Sequence, residues 1–538
     1  MVLQRDVPVN IWGTAAPGED VMIKVNNHTV AVMTGTDGRW KAKLAAEKAG
    51  GPYEMVVRTI VVTAAKADSG GTNAGTRSDI PIESGSGQGD MPAPSYKILR
   101  IEDVYFGDVW LCSGQSNMEF DNRGILKPEV FAAESAKAND PLLRFFVVQK
   151  NVQHAPTHSL SGQWQPCTPE TMATFSATGY FMGRELRQKL GVPIGLIGSY
   201  WGGTAVEAFT SIEALQKDPA YKRIKQTWEF KTSAYPAAKK MYDEQILPQW
   251  KQRADAALAS GTTAPPKPWA PGGGADDNNR PAVLFNGMIA PVIPYSLKGI
   301  AWYQGEANAN TIPDALEYRT LFPTMIRDWR ARWGSKVPFV WVQLANFRAE
   351  QTHPVETADA WPYLREAQTM TLSLPATGMS SALGNEDPTT IHPKDKITVG
   401  KRLADVALAV AYGWKIPHTG PLFDKMTVNG SKARLTFTNT DGGLLTPITY
   451  GAFANSPELL GDTLTGFAIA GADGKFVWGN ASIQKGAVIV SSPQVPKPVS
   501  VRYSWADDPI GNLMSRAKLP ASPFRTDVNT PPVNGPGG

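Results

Sequence analysis

A serine hydroxyl is a nucleophile only when a base lies within hydrogen-bond reach. One serine of this chain stands where such a site would begin. Asp108-Val109-Trp110-Leu111-Cys112-Ser113-Gly114-Gln115-Ser116-Asn117-Met118-Glu119 is a short apolar run that ends abruptly in small and polar residues. The pattern predicts a strand that delivers Ser116 to the edge of a sheet, where open α/β sheets put their chemistry. Gly114 and Gln115 leave the approach to Ser116 unhindered. The chemistry is that of a serine hydrolase, so the chain must also supply a base and an oxyanion hole.

The six histidines are His28, His154, His158, His353, His392 and His418. His392 has the best context for a base. It follows Asp387-Pro388-Thr389-Thr390-Ile391 and precedes Pro393, just before a predicted helix over 395–412. A loop at the end of the last strand can reach back over the end of the first. Asp387 is the expected acid that orients His392, with Glu386 the next candidate; the plainer role for Asp387 is to close an Asp-Pro turn. Asp395, in the first turn of that helix, suits stabilisation of a helix N-terminus.

Oxyanion donors are expected from two further stretches. Tyr200-Trp201-Gly202-Gly203-Thr204 offers backbone N–H groups at Gly203 or Gly202, approachable because glycine has no side chain. Trp302-Tyr303-Gln304-Gly305-Glu306-Ala307-Asn308 offers a side-chain amide from Gln304 or Asn308, with Glu306 a further polar candidate. The Ser116 N–H is another donor. Each stretch is weak alone. Together they place polar or glycine-rich residues at four predicted strand ends.

The elements that must position these residues alternate over 105–416. Strands are predicted at Val109 to Leu111, Ile194 to Ile197, Ile300 to Tyr303 and Val337 to Leu344. Helices are predicted at Tyr180 to Leu190, around Phe322, Met325, Ile326, Trp329 and Trp333, and over 395–412 with Ile397, Leu403, Val406 and Val410 apolar. Alternation of this kind implies a parallel sheet covered on both faces. Residues 251–280, rich in Ala, Pro and Gly, read as an inserted loop. Residues 1–104 read as a β domain with an exposed loop over 65–95, whose Gly85-Ser86-Gly87-Gln88-Gly89-Asp90 follows no strand and reads as linker, not phosphate loop. Residues 417–538 read as a C-terminal β domain and tail, sandwich-like in its short strands and Asn-Gly, Asp-Gly and Gly-Asn turns.

Composition bounds the remaining readings. With 538 residues, about two to four domains are expected. Apolar residues at 42 % and charged residues at 19 % fit a globular chain. The 53 Lys and Arg nearly balance 49 Asp and Glu without a long basic block, which does not favour nucleic acid as a partner. Most of the 16 tryptophans and 15 tyrosines are expected in the core, though sugar-facing surfaces also use them. No apolar run reaches the roughly 18 residues of a membrane span. Cys112 and Cys167 suit buried free thiols better than a disulfide, and no CxxC or HExxH pattern points to zinc. Neither a metal nor a cofactor is expected. No signal peptide opens the chain, so the protein is either intracellular or has lost a leader.

Gly-Gln-Ser-Asn-Met-Glu, Trp-Gly-Gly-Thr-Ala-Val-Glu-Ala, Trp-Tyr-Gln-Gly-Glu-Ala-Asn-Ala and Ile-His-Pro-Lys-Asp-Lys together resemble the sialate O-acetylesterase-like branch of the SGNH hydrolases. The resemblance extends to Leu284-Phe285-Asn286-Gly287-Met288-Ile289-Ala290-Pro291, Tyr503-Ser504-Trp505-Ala506-Asp507 and Pro523-Phe524-Arg525. It implies a flavodoxin-like three-layer α/β/α domain flanked by β-sandwich-like regions. It implies metal-free removal of acetyl groups from sugars of an acetylated oligo- or polysaccharide. By match, Ser116 is the nucleophile, His392 the base, and Gly203 (or Gly202) and Gln304 belong to the oxyanion site. Two features depart from the pattern. Many members carry an aspartate two or three residues before the histidine, where this chain has Thr390 and Thr389. The family also usually has residues before Met-Val-Leu-Gln-Arg, which agrees with a lost export signal and a periplasmic or secreted protein. The rival class is a non-catalytic glycan-binding protein on an esterase scaffold. A lipase or peptidase has no GxSxG elbow to support it.

Overall fold

The computed structural model describes residues 1–61, 95–334, 336–356, 359–384, 387–446 and 463–527. The loop expected over 65–95, its Gly85–Asp90 stretch included, lies outside the described residues except for Ser95, and Glu386 lies outside them too. The chain forms two compact units, Met1–Gly107 with Pro294–Ser296, and Asp108–Ile293 with Leu297–Gly538.

The first unit is built of strands. Val9–Thr14 pairs antiparallel with Arg39–Leu44, and Asp20–Val25 lies between His28–Met33 and Gly50–Val61. Alternate residues of Asp20–Val25 and Arg39–Leu44 point inward, as a sheet with one wet face requires. Val21, Ile23, Val25, Trp40 and Leu44 form the core between them.

The second unit carries the predicted site. Its strands are β1 (Ser95–Gly114, of which 108–114 belong here), β2 (Asp140–Val147), β3 (Gln165–Cys167), β4 (Ile194–Tyr200), β5 (Gly299–Tyr303), β6 (Phe339–Gln343) and β7 (Thr377–Ser381). They lie in the order β7-β6-β5-β1-β4-β2-β3. All neighbours are parallel except β2 and β3. The strands after β1 are laid down first on one side of it and then on the other. That reversal makes β1 the switch point of the sheet, and a crevice opens at the carboxyl end of such a strand.

The principal helices are α1 (Ser116–Glu119), α2 (Ala177–Leu190), α3 (Tyr221–Met241), α4 (Leu247–Ala259), α5 (Ile312–Trp333), α6 (Trp361–Met370) and α7 (Lys396–Tyr412). Helices α2 and α7 pack on each other, as do α5 and α6. Side-chain caps start several of them. The Ser176 hydroxyl accepts from the Gly179 N–H, Thr311 from Asp314 and Asp395 from Thr398, which is the helix-end role foreseen for Asp395. Most apolar positions read as inward are buried, but in α7 the buried first residue is Lys396, while Ile397 is only half-buried.

The insertion expected as a loop over 251–280 needs correction, because 251–259 continue helix α4. Ala254, Ala256, Ala257 and Ala259 favour helix strongly enough to carry it up to Ser260. Residues 260–280 are irregular. Beyond the α/β region, two four-stranded antiparallel sheets share one core, with Leu435, Val488 and Val490 of one against Phe467, Ile469 and Tyr503 of the other.

Both cysteines are free and buried. Burial pushes the Cys112 thiol up to about 12 and Cys167 to about 11, so neither yields thiolate at neutral pH. Titration with a chromogenic disulfide reagent should find no reactive thiol in the native protein and two after denaturation without reductant. One disulfide, hence none after denaturation, would refute this arrangement.

Candidate active site

The four stretches singled out in the sequence follow the carboxyl ends of β1, β4, β5 and β7. Ser116 opens α1 directly after β1. Gly114 has φ of 137°, and a Cβ there would lie 2.1 Å from the Tyr303 carbonyl oxygen, so only glycine lets β1 leave the sheet at this point. Gln115 fixes the turn. Its N–H donates to the Tyr303 carbonyl at 3.0 Å, and its Oε1 accepts from the Ala307 N–H at 3.1 Å. His392 comes in from the loop after β7 and places Nε2 2.9 Å from Ser116 Oγ. That is the distance needed for the imidazole to take the hydroxyl proton.

The oxyanion candidates separate by what their donors already do. Gly202 N–H donates to the Glu119 carboxylate, which is ion-paired with Lys150. Among the described residues Gly203 N–H and Ser116 N–H donate to nothing. Gly203 holds φ of 71° and lines the cleft beside Ser116. A Cβ on Gly202 would sit 3.1 Å from Glu119 Oε2, tighter than an ordinary contact, and would reach the Ser116 Cβ at 3.4 Å.

The side-chain amide needs a correction. Gln304 is wholly buried, and its Nε2 donates to Asn308 Oδ1 at 2.7 Å and to the Thr204 carbonyl at 3.2 Å, while its Oε1 accepts from Tyr318 at 2.8 Å. Both Nε2 protons are spent, so Gln304 orients Asn308 and cannot itself meet an oxyanion. Asn308 lines the cleft. Its Oδ1 accepts from the Val206 N–H at 3.0 Å, and its Nδ2 donates to Glu207 at 2.9 Å. These partners fix which end of the amide is nitrogen, and one Nδ2 proton is left over.

The acid is the second correction. The Asp387 carboxylate accepts from the N–H and hydroxyl of Thr389, whose hydroxyl holds it below the usual carboxylate range. This is the turn-closing role. Among the described residues no carboxylate bonds His392 Nδ1. The Phe120 ring lies against the imidazole instead, centroids 4.4 Å apart.

The base loop is tied down through Asn117 and Lys396, to which the sequence reading gave no role, and through Glu306, which it gave only as a further polar candidate. Asn117, next to Ser116, donates from Nδ2 to the carbonyl of Ile391, next to His392, at 3.0 Å. It also donates to Glu306 and accepts from Lys396 Nζ at 2.6 Å. Lys396 and Glu306 are both buried. Burial lowers Lys396 to about 7 and raises Glu306, each towards its neutral form. Burial, with Lys396 nearby, brings His392 down to about 4. At neutral pH the imidazole is therefore uncharged, as a base must be.

The chain can now be set beside known proteins. A family model described as carbohydrate esterase, sialic acid-specific acetylesterase matches residues 257–409. Sialate O-acetylesterases of Rattus norvegicus and Homo sapiens are each 29 % identical, covering 79 % and 81 % of this chain and 74 % of their own lengths. The crystal structure of a carbohydrate acetylesterase from Xanthomonas citri is 35 % identical, with a TM-score of 0.74, over 98 % of this chain and 97 % of that one. Fold and comparisons define the class, an ester hydrolase on an α/β scaffold. The chain belongs to the sialate O-acetylesterase-like carbohydrate esterases.

Two outcomes follow from the geometry. Asp387→Asn should keep kcat within about threefold of wild type, because a triad acid would cost on the order of 10⁴-fold; a loss above 100-fold would restore Asp387 as the acid. The kcat/KM of the free enzyme should stay on its plateau as pH falls through 6.5 and drop only towards about 4, since protonation of His392 is what removes the base. A limb at or above 6.5 would refute the buried, unpaired imidazole. The same shift makes the folded state lose stability between those pH values, as the unfolded histidine takes up a proton that the folded one does not.

Proposed function

We propose that the protein is a carbohydrate O-acetylesterase working through an acetyl-Ser116 intermediate on a flavodoxin-like, three-layer SGNH scaffold. The observation that carries this reading is the 2.9 Å contact between Ser116 Oγ and His392 Nε2 at the mouth of an open cleft. His392 accepts the hydroxyl proton as Oγ attacks the acetyl carbonyl. The tetrahedral oxyanion is met by the N–H groups of Ser116 and Gly203 and by the remaining Nδ2 proton of Asn308. Collapse breaks the bond to the sugar oxygen, which takes the proton from His392. Water then gives a proton to His392 and its oxygen to the acetyl group, releasing acetate and restoring Ser116. The base works as a dyad partner, with Phe120 and the Asn117 tie holding it.

The substrate proposed is an acetylated plant cell-wall polysaccharide, xyloglucan or xylan. Two features favour a large neutral sugar. The cleft measures about 1140 Å³, above the roughly 300–1,000 Å³ of ordinary small-molecule sites. Among the described residues it also lacks a spare arginine to bind the carboxylate of sialate. Arg123 and Arg348 do not line it, and Arg223, which does, is held by Asp314 and Glu317. A polymeric substrate places the enzyme outside the cytoplasm, in the periplasm or secreted. The second reading is a sialate O-acetylesterase, favoured by Lys231, which lines the cleft with no ion pair among the described residues.

Acetate release from 4-nitrophenyl acetate and from acetylated glycans tests the reaction. Ser116→Ala should lose at least about 10³-fold in kcat. Undiminished turnover in that variant would overturn the mechanism, and binding without turnover in the wild type would favour a glycan-binding protein instead. Dominant hydrolysis of sialate esters over acetylated xylan would overturn the polysaccharide.

A further inference from the structure

The cleft that holds Ser116 and His392 extends to helix α3 and to the segment after α4, and Trp269 is among the residues that line it. Trp269 is 96 % exposed, more than any other large apolar side chain described. A tryptophan left so open gives up the burial that usually stabilises it. Its backbone is nevertheless held. The Pro268 carbonyl accepts from Tyr242 at 2.9 Å and the Pro265 carbonyl from Trp250 Nε1 at 2.9 Å. On the other side Gly273 N–H donates to Asp277 at 2.7 Å, and the Gly274 carbonyl accepts from Arg280 at 2.8 Å. Pro265, Pro266, Pro268 and Pro271 restrict the backbone further. The indole is presented on a braced support, so little ordering cost remains when a ligand covers it.

The charge of the cleft narrows what that ligand is. Glu207, Asp276, Asp277, Asp314 and Glu317 line it against two cations, Arg223 and Lys231. Arg223 is taken up by Asp314 and Glu317, and Lys231 lies over the Trp228 ring. An excess of carboxylates repels an anionic chain. It accepts hydrogen bonds from hydroxyl groups, and an exposed indole face suits the apolar C–H face of a pyranose ring.

We propose that the cleft carries a second sugar subsite in which Trp269 stacks on a neutral pyranose unit of the chain whose acetylated residue occupies Ser116. The inference rests on the acetylesterase reading above and adds to it that the enzyme grips its substrate beyond the sugar it deacetylates. Trp269 is here a binding residue, with no part in the chemical step.

The test compares wild type, Trp269→Ala and Trp269→Phe on acetylated xylo-oligosaccharides and on 4-nitrophenyl acetate, which carries no sugar to stack on Trp269. Trp269→Ala should raise KM for the oligosaccharides roughly 10-fold or more, with kcat little changed. Trp269→Phe should recover most of the loss, and 4-nitrophenyl acetate should be hydrolysed equally by all three. Unchanged KM on the oligosaccharides, or an equal loss on both substrates, overturns the subsite. Calorimetry in a Ser116→Ala background reads binding without turnover, using xylohexaose, cellohexaose, mannohexaose and sialyllactose. Binding of a neutral hexaose that Trp269→Ala abolishes supports the subsite. No neutral hexaose bound, or sialyllactose bound more tightly, overturns it. Failure of the acetylesterase reading would show separately, as acetate release that Ser116→Ala leaves intact.

Discussion

One hydrogen bond sets the terms for the catalytic unit, and its partners lie 276 positions apart in the chain. Ser116 must leave its strand sharply enough to be exposed, and His392 must return to it from the far side of the sheet. Parallel topology meets both demands. The carboxyl ends of the parallel strands lie on one edge, and β1 sits where the winding reverses, so a loop from β4, from β5 or from β7 reaches the same crevice. The turn at Gly114 supplies the exposure. The tie from Asn117 to the Ile391 carbonyl supplies the return, by joining the neighbour of the serine to the neighbour of the histidine.

That tie bears on the absence of an acid partner for His392 among the described residues. An aspartate on Nδ1 does two things, holding the ring and stabilising the imidazolium. Here the holding falls to the Phe120 ring and to the loop anchored on Asn117. The second task has no counterpart among the described residues, and Lys396 works against it by raising the cost of a charge on His392. A neutral base at low pH and a weakly stabilised imidazolium are consequences of the same surroundings.

Much of this was legible in the residues, for identifiable reasons. Ser116, His392 and the glycine pair stand at places where an apolar run stops, and strand ends announce themselves that way. The choice between Gln304 and Asn308 was not legible. Both are amides on one short turn, and only packing shows that the first is spent on the second. Asp387 was favoured by its closeness in sequence, but a turn that brings two residues near along the chain does not aim one side chain at the other. Glu119, Glu207 and Lys396 lie within the quoted stretches, but their residue types alone assigned them no role. Lys396 beside Ile397 reads as the wet face of a helix, and nothing local reveals that Asn117 and Glu306 draw it inward. The Tyr503–Asp507 and Pro523–Arg525 stretches, part of the family likeness, lie away from Ser116 in role. Asp507 binds Arg348 at 2.6 Å and the Trp361 N–H at 3.1 Å, and Arg525 binds Glu366 at 2.9 Å, so they fasten the C-terminal sheets to helix α6.

Burying a lysine and a glutamate behind the reacting pair is expensive, because both ions lose water and neither meets the other directly. An apolar replacement of equal volume would spare that cost. It would also remove the two groups that hold the Asn117 amide from both ends among the described residues, and a free amide could rotate away from the Ile391 carbonyl. The network is thus better understood as registration than as stabilisation. Three polar groups, Glu306, Lys396 and the Ile391 carbonyl, each bonded to Asn117 in one orientation of its amide, leave the base loop a single position over Ser116. Where no described acid steers the imidazole, that single position is what lets a 2.9 Å contact persist through a reaction that moves a proton across it twice.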